Sequence, residues 1–319
     1  MISEKTFYRQ RVIYPRRLIM VAVTVAEMFE AGAHFGHQTK KWNPRMKPYL
    51  YGARSGIHII DLQQTQALAQ TALNFIEKIV GEGQDVLFVG TKMQAQSVLE
   101  EEAKRCNMPY MTRRWLGGTL TNFGTIKKSI DRMLELEGRR EKNDFVGFTK
   151  KELLTVDRQI AKLDEALGGI RSMKKPPGLL FIVDPSLEKI AVHEANVLQI
   201  PIVAMTDSNC DPDPIDYLVP ANDDALRSIQ LLASKVAEAC LAGMERREQM
   251  AREEGTKRAN EEKKRSSRQA KEIGASGTAF VSKAETYDAG VEVESFSASV
   301  VTEEPVSLAD ELNKEEVKE

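Results

Sequence analysis

Residues 85–106 read DVLFVGTKMQAQSVLEEEAKRC, and this stretch decides the fold. Asp85-Val-Leu-Phe-Val-Gly90 is an unbroken apolar run, the pattern of a strand buried on both faces. Thr91 with Gln94 three residues on forms a capping-box pattern. Val98, Leu99, Ala103 and Cys106 then supply the apolar face of a helix. The unit recurs at 178–183, where GLLFIV precedes Asp184-Pro185 as a helix start and Leu187, Ile190, Ala191, Ala195 and Leu198 as its stripe. PIVAM at 201–205 is a third strand and Tyr217-Leu-Val219 a fourth, with another near Tyr110. Asn222-Asp-Asp224 opens a helix through Leu226, Ile229, Leu232, Val236 and Cys240. Upstream, Asp61 and Gln64 cap a helix carrying Leu68, Ala72, Phe75, Ile76 and Ile79. Buried strands alternating with helices imply a mainly parallel sheet covered on both faces. Right-handed crossovers then give a doubly wound, three-layer α/β sandwich.

One segment, about 121–170, breaks the rhythm. Phe123, Ile126, Ile130 and Met133 are spaced 3, 4, 3, and a polar turn follows. Thr149 and Glu152 make another capping box. Leu153, Val156, Ile160, Leu163, Leu167 and Ile170 then keep a 3.5-residue period, the seam of a coiled coil. The expectation is a projecting antiparallel coiled-coil hairpin; two ordinary packed helices are the alternative.

The chain has 319 residues and a formal charge of −2. That small value conceals a segregation: residues 1–272 carry +6 and residues 273–319 carry −8. Residues 244–272 are expected to form a charged helical extension, and 273–319 an acidic disordered tail. Residues 1–19 are Arg-rich without the apolar core of a secretory signal; they read as an organellar transit peptide or as an extension ahead of a true start at Met20. No apolar run is long enough to span a membrane. Cys106, Cys210 and Cys240 lie far apart, which fits a reduced, cytoplasmic chain.

From Ala31 to Ile60 there is no Asp or Glu. The window holds His37, Gln38, Lys40, Lys41, Trp42, Arg45, Lys47 and Arg54. A second acid-free window, Ala103 to Ile130, holds Arg113, Arg114, Trp115 and Asn122. Cations neutralise phosphates and release counterions, and planar side chains stack on splayed bases. Each window alone could be a solvated basic face with core aromatics; together they favour nucleic acid. His34 and His37 could share a metal, yet no cysteine is near and no metal or other cofactor is expected. Asp207, Asp211 and Asp213 suit a magnesium site less well than a rigid turn. Lys92 and Asp184 read as a helix terminus and a cap. There is no phosphate-loop motif and no nucleophile elbow, so an enzyme with a small-molecule substrate is disfavoured.

HFGHQT at 34–39, WNP at 42–44, MKP at 46–48, GAR at 52–54 and GIHIIDL at 56–62 resemble the opening of the bacterial ribosomal protein S2 family. FVGTK at 88–92, RWLGGTLTN at 114–122 and LGGI at 167–170 are similar to its middle. DSNCDPD at 207–213 and PANDDA at 220–225 are similar to its end. The resemblance runs in order from about residue 20 to 243. It implies a non-enzymatic component of the small ribosomal subunit, working in translation on the cytoplasmic ribosome. The implied partners are 16S rRNA at the head–body junction on the solvent side, neighbouring small-subunit proteins, and the large mRNA-binding protein of repeated OB domains. It also implies that the 34–54 and 113–122 motifs carry the rRNA contacts.

Overall fold

The computed structural model describes residues 22–142, 144 and 148–281. Two compact units divide at Thr256 and Lys257. In the first, five parallel strands form one sheet: β4 (Val86–Val89), β5 (Tyr110–Met111), β6 (Leu179–Val183), β7 (Ile202–Thr206) and β8 (Tyr217–Pro220), in the order β5-β4-β6-β7-β8. Each expected strand is present within a residue or two of its reading.

Alternation along the strands sorts the core into two layers. Val86, Phe88, Leu179, Phe181, Val183, Val203 and Met205 point to one face. There they meet α1 (Val25–Glu30), α2 (Leu62–Gly81), α3 (Met93–Arg105) and the first turns of α7 (Leu226–Val281). Leu87, Val89, Leu180, Ile182, Ile202 and Ala204 point to the other, against α4 (Phe123–Glu141), α5 (Lys150–Leu167) and α6 (Lys189–Val197). This is the doubly wound sandwich.

A second sheet went unforeseen. β1 (Phe35–Gln38), β2 (Leu50–Arg54) and β3 (Ile57–Ile60) form an antiparallel sheet ordered β1-β3-β2, folded from the first acid-free window. Its strands are mostly exposed, so they lack the apolar runs by which the other strands are read.

Helices α4 and α5 contact each other, with Arg140 bonded to Asp157 at 2.7 Å. Ile126, Ile130 and Leu167 root them in the second core layer. A short 3₁₀ turn, Gly168–Ile170, then presses Gly169 against the Tyr110 carbonyl of β5.

Two helix starts differ from their readings. Thr91 caps nothing: its N–H and Oγ donate to Glu188 Oε1 at 2.8 and 2.5 Å, and α3 begins at Met93. α6 begins at Lys189, because Asp184 takes a φ of +60° and spends its Oδ1 on the Ser186 N–H and hydroxyl. Residues 273–281, assigned above to the tail, continue α7 as helix. The extension at 1–19, its start at Met20, and tail residues 282–319 lie outside the described residues. No helix among the described residues is long and apolar enough to cross a membrane.

Candidate nucleic-acid interface

The first window is fastened to the loop after β7 by its backbone. A Cβ on Gly36 would stand 3.0 Å from both Asp207 Oδ1 and Ser208 Oγ, tighter than most Cβ contacts, so a larger residue would have to push these side chains aside. The His37 N–H donates to Ser208 Oγ at 2.9 Å, and the Asn43 N–H to the Ser208 carbonyl at 2.8 Å. Hung on this frame, Gln38, Lys40 and Lys41 are exposed. A 3₁₀ turn, Pro44–Tyr49, is started by the Asn43 side chain accepting from the Arg45 N–H. It buries Met46 and turns Arg45 and Lys47 outward. Arg54 stands exposed at the β2–β3 turn, which Ser55 and Gly56 make with φ of +53° and +78°. Trp42 is half-buried, its ring 5.0 Å from that of His58.

The second window follows β5. Arg113 and Arg114 are exposed, and Asn122 is exposed at the start of α4. Trp115 is not available for stacking: it is 7% exposed, and its indole N–H donates to Glu194 Oε1 at 3.1 Å. Glu194, itself buried on α6, also accepts from the N–H groups of Gly118, Leu120 and Thr121 and from the Thr121 hydroxyl. Burial pushes its carboxyl up, but these bonds together hold it below the usual carboxylate range. The Trp115–Thr121 loop is therefore an inward anchor that displays the arginines beside it.

Because all five strands are parallel, both windows lie at the carboxyl edge of the sheet, where doubly wound folds expose their sites. They are not merged. One follows β5 and the other is tied to the segment after β7, three strand spacings or roughly 14 Å apart.

Between them lies a buried polar cluster that the sequence reading passed over. The Lys92 ammonium is 2.8 Å from Asp223 Oδ1, 2.6 Å from Asp224 Oδ1 and 3.4 Å from Asp184 Oδ2. Burial opposes its charge, yet Asp223 and Asp224 hold its pKa above the ordinary lysine value. Asp223 is fully buried; burial and the Asp184 charge push its carboxyl up to about 7. The His37 Nδ1 lies 2.5 Å from Asp207 Oδ2, and this bond raises the imidazole pKa despite burial. Asp207 thus belongs to this cluster, whereas Asp211 and Asp213 pair with Arg45 at 2.9 and 2.7 Å. His34 joins neither group of candidate metal donors among the described residues. The signal for the cluster was the recurrence of Asp just past successive strands.

A family model described as ribosomal protein S2 matches residues 28–243. The chain is 54% identical over 224 residues to small ribosomal subunit protein uS2 of Geotalea uraniireducens (strain Rf4), covering 70% of this chain and 88% of that protein. It is 53% identical over 226 residues to the uS2 protein of Chloroflexus aggregans (strain MD-66 / DSM 9485), covering 71% and 95%. The uS2 protein of Maridesulfovibrio salexigens is 53% identical over 230 residues, covering 72% and 89%.

Proposed function

Since the chain belongs to the ribosomal protein S2 family, we propose that it binds 16S rRNA at the head–body junction, on the solvent side of the small subunit. We further propose that it helps to anchor the large mRNA-binding protein of repeated OB domains there, on the cytoplasmic ribosome. Membership makes it a structural, non-enzymatic component of the small ribosomal subunit.

The observation that carries the rRNA reading is a set of six exposed cations: Lys40, Lys41, Lys47, Arg54, Arg113 and Arg114. Among the described residues none of the six has a carboxylate within ion-pairing reach. Exposed cations in acid-free runs meet a phosphate backbone at little desolvation cost. Arg45 differs, since it is already held by two aspartates. Gln38 and Asn122 offer amides, and Trp42 offers a ring edge to sugar or base. His37 and Trp115 position these groups from within. Helices α4 and α5 serve as a coiled-coil arm bracing the domain against RNA or a neighbour.

Replacing the six cations by glutamine should abolish co-sedimentation with small subunits. It should also flatten the salt dependence of binding to a 16S rRNA fragment by about 0.7–0.9 log units per lost phosphate contact. An unchanged slope rejects the assignment.

A further inference from the structure

We propose that Cys106 and Cys240 form a redox-responsive thiol pair, which a peroxide converts into an internal disulfide that fastens the end of α3 to α7. The two stand far apart in the chain and meet in the fold.

Cys106 follows the last residue of α3, and Cys240 lies on α7. Both are fully buried in the same core layer. On each helix the thiol shares a stripe with small, fully buried residues: Ala103 before Cys106, and Ala233 and Ala237 before Cys240. Small side chains at a helix contact let the axes approach closely. The Arg105 guanidinium clamps the same junction, its Nη2 donating to the Ser234 carbonyl of α7 at 3.0 Å. The Cys106 thiol donates to the Glu102 carbonyl at 3.2 Å. Its sulfur lone pairs are left to accept from the Cys240 thiol, and the two side chains are bonded to each other.

That bond makes the two sulfurs unequal. It holds the Cys106 thiol below its ordinary value, helped by the Arg105 charge, and pushes Cys240 well above. Cys106 is therefore the nucleophile, because the thiolate is the reactive form. Its sulfur attacks one peroxide oxygen, the O–O bond breaks, hydroxide leaves, and Cys106 becomes a sulfenic acid. The Cys240 sulfur then attacks the Cys106 sulfur. An S–S bond forms, the S–O bond breaks, and the departing hydroxide takes up a proton as water. Two thiols and one hydrogen peroxide thus give one disulfide and two waters, and the two electrons lost by the sulfurs reduce the peroxide. Cys210 is the internal contrast. It is equally buried, but it bonds to Asn209 and Asp184 rather than to a thiol, and burial with the Asp184 charge pushes it up to about 12. The rival reading is two inert core thiols that pack as small apolar groups.

The test treats the full, reduced, folded chain with hydrogen peroxide, a probe small enough for a buried pair. Remaining thiols are then blocked in denaturant, and peptides are mapped by mass. A peptide pair joining Cys106 to Cys240, lighter by two hydrogens, should appear, with Cys210 recovered as a blocked thiol. In Cys240→Ala the Cys106 peptide should instead gain oxygen. The linked chain should melt about 5–10 °C above the reduced one, because the bond closes a long loop. Absence of the link in the folded wild-type chain overturns the proposal, and so does a link that forms only in denaturant or between copies. A linked chain that melts no higher than the reduced one overturns the fastening of α3 to α7. None of these outcomes bears on the salt dependence of rRNA binding, which tests the other reading separately.

Discussion

Glu194 accepts five hydrogen bonds in the space of one carboxylate, and its worth to the fold depends on pH. Bonds to a charged acceptor contribute about 1.5–3 kcal/mol each, and donors left buried without it cost more. Glu194→Gln keeps one acceptor oxygen but turns an amide toward backbone N–H groups, so a loss of about 3 kcal/mol is expected. The folded carboxyl sits below its ordinary value of 4.5. Its stabilisation is therefore complete above the unfolded pKa and lost as pH falls through the folded one. The melting-temperature gap between wild type and Glu194→Gln should accordingly narrow as pH is lowered through the carboxylate range. Little of this was legible in the sequence. The Trp115-Leu-Gly-Gly-Thr motif was visible, but a stacking indole and a buried one look alike in a list of residues. Nothing in the spacing of α6 says that its one buried glutamate serves a loop 73–79 positions upstream. The exposed cations were legible, because runs without acid are a property of the chain itself.

Elements whose apolar pattern faces a large core were read closely, and those governed by distant partners were not. Strands β4, β6 and β7 are buried throughout, so continuous apolar runs located them. The capping box of α5 is present as read, with Thr149 and Glu152 bonded reciprocally. At α3 the capping signal lost to tertiary bonds between Thr91 and Glu188, and at α6 to a local turn in which Asp184 bonds Ser186. The displaced start of α6 leaves Leu187 and Ile190 59% and 56% exposed, although the expected stripe placed them inward. In α5 the seam residues Val156, Ile160 and Leu163 are only half-buried, and α5 meets α4. Ile160→Asp should therefore cost the helix pair its contact while sparing the sandwich. Hydrogen exchange should show lost protection at 150–160 with β4, β6 and β7 unchanged.

At the scale of the whole chain, charge is the governing property. Residues 282–319 carry the entire −8, so a chain ending at Val281 has +6 where the full chain has −2. Removing that segment should tighten binding to a non-specific RNA several-fold at low salt. Fluorescence anisotropy should show the difference vanish near 1 M salt, where the screening length is about 3 Å. The segregation was plain from counting residues. The placement of both windows at one edge of the sheet was not, since it follows from strand order. That same order ends on two blunt margins. β5 is two residues long with Gly169 pressed against it, and β8 closes on Pro220, which has no N–H to offer. The five-stranded sheet thus presents little free ladder on which another copy could polymerise, and its protection while the chain waits for assembly rests on the brevity of its outermost strands.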